Sequence, residues 1–348
     1  MAYSTISKPS LYFNTKLYTG NGSTQSITGV GFQPDWVWIK SRGYAEDHQL
    51  TDAVRGVTKS IQSNLTTAES TFADGLTAFG TDGFSLGSKS DFNYNNDNLV
   101  AWNWKANGAG SANTDGTINS TVSANTTAGF SIVSWTGTGA NATVGHGLGS
   151  TPKMIIAKCL DNAKHWLVFH NSLDTNKNLY LNLTNAEDTP SPEIYRKGSF
   201  TNNVFAIGAH DRINASSQSM IAYCFAEKTG YSKFGSYTGN GNANGSFIYT
   251  GFKPAWIMVK NTGVSCNWVM FDNKRSGFNV DNDEMSPNTS GGDNDGQTYQ
   301  YVDLLSNGFK WREASNNKNT SGDNFIYMAS AEEPLVANVG QGIPATAR

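Results

Sequence analysis

One ten-residue phrase is written twice in this chain, with a worn copy between. Gly31-Phe32-Gln33-Pro34-Asp35-Trp36-Val37-Trp38-Ile39-Lys40 returns as Gly251-Phe252-Lys253-Pro254-Ala255-Trp256-Ile257-Met258-Val259-Lys260. Ser150-Thr151-Pro152-Lys153-Met154-Ile155-Ile156-Ala157-Lys158 is the middle version. In each, a proline precedes a run of apolar and β-branched residues that a lysine closes. Proline fixes φ and has no N–H for a ladder, so it belongs at a strand entry. An apolar run without alternation predicts a strand covered on both faces.

Further landmarks recur in the same order around each copy. Upstream lie Thr19-Gly20-Asn21-Gly22, Thr136-Gly137-Thr138-Gly139 and Thr238-Gly239-Asn240-Gly241. Downstream, Gly83-Phe84 and Gly308-Phe309 each open a short strand, with Val204-Phe205 in the middle copy. Each unit closes on an apolar strand: Leu99 to Lys105, Met220 to Glu227 and Phe325 to Glu332. The period is about 100 residues, enough for one small domain with its own core. The chain therefore divides into an N-terminal arm (1–16), a first repeat (17–106), and a linker rich in Gly, Ser, Asn and Thr (107–128). A second repeat (129–228), a joint (229–233), a third repeat (234–333) and a C-terminal docking tail (334–348) follow. Residues 57–73 have poor helical spacing and read as loop.

Charged residues are only 15% of the chain, while Gly numbers 36 and aromatics reach 12%. Low charge with many aromatics is the signature of an all-β protein rich in turns, not of disorder. The expected fold is all-β: three tandem β-sandwich domains of jelly-roll or lectin-like architecture, with extended terminal arms. A formal charge of −3 with no Lys/Arg cluster argues against nucleic acid. No run approaches the roughly 18 apolar residues of a membrane helix, so no membrane insertion is expected. The first residues lack the pattern of a signal peptide. Cys159, Cys224 and Cys266 are odd in number and sit at different landmarks, so free thiols are expected.

Few residues offer chemistry. Asp52 and Arg55 share a spacing with Asp272 and Arg275, and the middle repeat has His170 with no Arg. A turn that Asp caps and Arg ties down explains the pair better than a ligand contact, since one repeat does without it. His146, His165, His170 and His210 match no metal signature. Asp211 and Arg212 follow His210, but no nucleophile stands in a recognisable setting. The acidic stretch 281–296 could offer oxygens to calcium, yet it lacks EF-hand spacing and reads as a solvated loop. Trp36 with Trp38, and Trp102 with Trp104, share strand faces, as either a sandwich core or a sugar site would have them; core is favoured. No catalytic residue, metal or cofactor is expected, and no binding residue is assigned.

Several of these stretches resemble a family. Lys16-Leu17-Tyr18-Thr19-Gly20-Asn21-Gly22-Ser23, the phrase Gly31 to Arg42, and Thr51-Asp52-Ala53-Val54-Arg55-Gly56 are similar to a repeated β domain in virion proteins of tailed bacteriophages, especially marine and cyanobacterial ones. The ending Gly342 to Arg348 is similar to C-termini in that group. The resemblance implies a virion component and does not place it on the particle; the expected function is that of a non-enzymatic virion structural protein made in the host cytoplasm, with a tail-fibre or tail-tip adhesion role foremost. A capsid decoration protein and a glycan-cleaving enzyme are the alternatives. An enzyme of that kind needs paired carboxylates in a cleft, and no pair stands out. Partners would be other virion proteins, met through the terminal arms, and a host surface glycan or receptor. A homo-oligomer is expected.

Overall fold

The computed structural model describes residues 4, 6–191, 193–279, 281–293 and 301–336. The chain is all-β, built from antiparallel sheets. The first lobe carries β1 (Phe13–Thr19), β2 (Gln25–Thr28), β3 (Trp36–Ser41), β4 (Gln49–Asp52), β5 (Lys59–Ser60), β6 (Ser70–Thr71), β7 (Leu76–Gly80), β8 (Gly83–Leu86), a one-turn helix α1 (Ser90–Asn93) and β9 (Asn98–Trp104). Two strands follow, β10 (Ser111–Asn113) and β11 (Ser120–Asn125). The second lobe has β12 (Phe130–Thr136), β13 (Ala142–Gly145), β14 (Met154–Cys159), β15 (Leu167–His170), β16 (Leu179–Tyr180), β17 (Val204–Ile207), α2 (Asp211–Asn214) and β18 (Ser219–Phe225). The third has β19 (Ser232–Thr238), β20 (Phe247–Tyr249), β21 (Phe252–Asn261), β22 (Val269–Asp272), β23 (Val302–Leu305), β24 (Gly308–Trp311) and β25 (Asn324–Pro334).

One strand order occurs three times. The main sheets run β1-β9-β3-β4, β12-β18-β14-β15 and β19-β25-β21-β22. Smaller sheets, β2-β8-β7, β13-β17 and β20-β24-β23, form the second layer. Registers set the equivalences: Trp36 faces Asp52, Met154 faces His170, and Trp256 faces Asp272. The three prolines precede these positions by two residues, and Pro254 lies at a bulge in β21, as a residue without an N–H should.

The landmark glycines are required by close approach. A Cβ on Gly20, Gly137 or Gly239 would lie 2.0, 2.2 or 2.1 Å from a carbonyl oxygen of Tyr94, Ala215 or Thr320. A buried Asn then staples each of these loops. Asn93, Asn214 and Asn319 each accept from a backbone N–H of the loop and donate to its carbonyls.

The continuous apolar strands are covered on both sides, but by different things. Val37, Ile39, Leu99 and Ala101 meet the small sheet of their own lobe through Ile27, Phe84 and Leu86. Trp36, Trp38, Trp102 and Trp104 point the other way, into a core shared by all three lobes. There Trp36 stacks on Tyr223 at 4.1 Å, and Trp104 meets Trp256 edge-on at 5.7 Å. The lobes are therefore not separate beads. Each has an outer core of its own, and a fourth core lies at their junction.

Three expectations change. Residues 107–128 are no linker: β10 and β11 extend the second main sheet beyond β12, with Ile118 and Val122 buried. Ser and Thr are compatible with strand once a neighbour supplies the ladder. The N-terminal arm is not free within the chain, because Ile6 and Phe13 join the shared core and β1 begins at Phe13. The acidic stretch is not a solvated loop, since Asp281, Asp283 and Glu284 are buried. Residues 294–296 of that stretch, and the docking tail from 337 onward, lie outside the described residues.

Candidate functional site

The Asp–Arg turns build the polar rim of the shared core. Asp52 accepts the backbone N–H groups of Val54 and Arg55, and its other oxygen accepts from Arg55 Nε at 2.5 Å. That oxygen also accepts the Tyr223 hydroxyl, from the second lobe, at 2.8 Å. Asp272 repeats the arrangement with Lys274, Arg275 and, from the first lobe, Trp102 Nε1 at 3.0 Å. His170 is their counterpart. Its Nδ1 accepts the Ser172 N–H, so its Nε2–H donates to Tyr327 O of the third lobe at 3.1 Å. By register Trp102, Tyr223 and Met328 are equivalent. Met328 has no donor for a carboxylate, and there the Asp–Arg pair gives way to His170 and Leu173.

A second set of contacts links the lobes at the positions of His48, Trp166 and Trp268. Trp38 Nε1 donates to His48 Nδ1, which leaves His48 Nε2–H to meet Ser286 O at 3.1 Å. Trp166 Nε1 donates to Gln62 O at 2.8 Å, and Trp268 Nε1 to Tyr180 O at 2.9 Å. The contacts to Ser286, Gln62 and Tyr180 each cross from one lobe to another.

Burial shapes the charges here. It opposes the Arg55 cation, but Asp52, Tyr223 and Glu69 outweigh it and hold the guanidinium above its ordinary range. Burial lowers His170 to about 4 and pushes His48 down as well. The lysines that close the repeated phrase are buried too. Lys40, Lys158 and Lys260 each donate to the carbonyl of the next residue and to one four residues on, so they hold loops. Burial lowers Lys40 and Lys158 to about 8.

The remaining candidates do not assemble into a reactive site. His146 and His165 bond to Thr201 O and Asn182 in their own lobe. His210 caps α2 by accepting the Arg212 N–H, while Asp211 pairs with Lys164 at 2.5 Å. In the described part of the acidic stretch Asp293 pairs with Arg275 and Arg42, Asp283 with Arg42 and Glu284 with Lys318, while Asp281 accepts the Ser276 hydroxyl. No group of three or more His, Cys, Asp or Glu is placed to hold a metal among the described residues. Cys159, Cys224 and Cys266 are buried free thiols. Trp36, Trp38, Trp102 and Trp104 are all core.

What sequence reasoning missed is on the outside. Phe247 and Tyr249, on β20, are 46% and 57% exposed. Tyr249 forms one wall of a hollow of about 260 Å³ that Glu227, Lys233, Thr250 and Val336 also line. The signal was present as Phe247-Ile248-Tyr249, apolar on both faces of a strand whose counterpart reads Ser26-Ile27-Thr28.

Fold and site together define a three-lobed all-β scaffold clamped by buried polar contacts. The chain belongs to the family of a domain of unknown function, DUF7483, whose model matches residues 8–334. That single match spans all three lobes and ends where β25 ends. No curated protein matches the sequence. No helix among the described residues is long and apolar enough to cross a membrane.

Proposed function

We propose that this protein is a non-enzymatic structural component of a tailed-bacteriophage virion, acting at a tail fibre or tail tip in adhesion to the host surface. The observation that carries the reading is how the polar residues are used. Asp52, Arg55, Asp272, Arg275, His48 and His170 all join lobe to lobe. A scaffold so clamped suits a load-bearing part that presents surface loops. The similarity of the Gly31 to Arg42 phrase and the Asp52–Arg55 turn to phage virion domains supports the same reading. Three buried free thiols fit a chain folded in a reducing cytoplasm.

The test is location on the particle. Purified virions encoding the chain are analysed by mass spectrometry and labelled with antibody for electron microscopy. Label at the fibres or tail tip is the expected result. Label over the capsid makes it a decoration protein, and its absence from particles overturns the proposal.

A further inference from the structure

We infer that the Phe247–Tyr249 face of the third lobe is a glycan-binding platform. The inference rests on the adhesion reading and names its contact surface. Three copies of one scaffold act as internal controls. Ile27, Val144 and Ile248 are equivalent, each paired with the buried phenylalanine of the next strand. Their flanking residues share the opposite face of the strand. In the first lobe these are Ser26 and Thr28, both exposed. In the second they are Thr143 and Gly145, where Thr117 and Ile118 of the same chain bond to Thr143. Only the third lobe places two large aromatics there, and the fold does not require them.

The surroundings suit a sugar. A pyranose has an apolar C–H face and a rim of hydroxyls, so it stacks on an aromatic ring beside fixed polar groups. Tyr249 supplies the ring. Across the hollow, Glu227 accepts from Lys233 Nζ at 2.9 Å with one oxygen and from the Phe234 N–H at 3.3 Å with the other. That carboxylate is thus held in place before any ligand arrives. Lys310 stands opposite Phe247 in the ladder, on the same face. The exposed aromatic area matches a small ligand. Half-exposed Phe and Tyr side chains offer roughly 200 Å² together. A stable protein interface needs about 800 Å² per partner. A saccharide of one to three rings needs far less.

The test replaces the pair with its first-lobe counterparts, Phe247→Ser with Tyr249→Thr, which this scaffold already carries at Ser26 and Thr28. Wild type and variant are applied to an array of immobilised bacterial lipopolysaccharides and of hexose and N-acetylhexosamine oligosaccharides. Tyr44→Ser is the control, an exposed aromatic that packs against Tyr94 in the first lobe, ring centroids 4.4 Å apart. Wild type should bind at least one saccharide, the double variant about tenfold or more weakly, and the control unchanged. An unaltered urea midpoint confirms that the double variant is folded; if it is not, Tyr249→Thr alone is read in its place. Binding of no saccharide by wild type, or equal binding by the variant, overturns the inference. So does a wild-type dimer that the double variant dissolves in sedimentation, because the face would then be a contact between copies. Wild-type virions separate this inference from the functional reading: protein present at the tail that binds no saccharide sinks the platform alone, whereas its absence from particles sinks the functional reading.

Discussion

Asp272→Ala tests whether the three lobes form one cooperative unit. Asp272 is fully buried, and four donors converge on it: two backbone N–H groups, Arg275 Nε at 2.6 Å and Trp102 Nε1 at 3.0 Å. Alanine removes every acceptor at once. Arg275, with no exposed side-chain surface, keeps Asp293 as its one carboxylate partner at 2.6 Å among the described residues. Trp102 is left with a buried N–H. Breaking a buried ion pair from one side costs about 3–5 kcal/mol, mostly the desolvated charge left behind. Asp272→Asn keeps the shape and one acceptor and should cost less. Urea denaturation followed by tryptophan fluorescence reads both, and the nine tryptophans report on all three lobes. A shared core predicts one transition that moves as a whole. A loss below about 1 kcal/mol would refute the clamp. A separate early transition, with the other lobes melting at the wild-type midpoint, would refute the shared core.

Acid should loosen the junctions. His170 is neutral in the fold with a pKa of about 4, below its unfolded value near 6.5. The unfolded chain therefore binds the proton first, and stability falls as pH drops from about 6.5 to 4, by roughly 3 kcal/mol from this residue. Urea midpoints across that range check the slope; His170→Gln should flatten it, and an unchanged slope would exclude His170 as the cause. Trp256→Ala should cost about 3–5 kcal/mol, because the indole fills the shared core against Trp104 and Phe13. A loss under about 1 kcal/mol would contradict that burial. Gly239→Ala should prevent native folding, measured as loss of soluble protein, since its Cβ meets Thr320 O at 2.1 Å; a normally stable variant would mean that the loop is not held as described.

Local chemistry by itself determined the repeated architecture. The phrase around Trp36 and Trp256 is a strand because its apolar run suits no other element, and Gly20 and Gly239 mark loops where only hydrogen fits beside a carbonyl. The Asp–Arg spacing was legible as a turn for the same reason: its hydrogen bonds are local. What the tertiary structure decided is everything that depends on a distant partner. A strand that is apolar on both faces does not say what covers each face, so the shared core of Trp36, Trp104 and Trp256 was invisible. Ser120 to Asn125 has a loop's composition and is a strand because β12 pairs with it. The residues around Asp283 look like surface until Arg42, 241 positions away, arrives to neutralise the carboxylate. His170 stands where the other lobes have aspartate, and its Nε2–H finds a carbonyl, Tyr327 O, in another lobe. Burial and charge are set by neighbours in space, and a linear pattern records only neighbours along the chain.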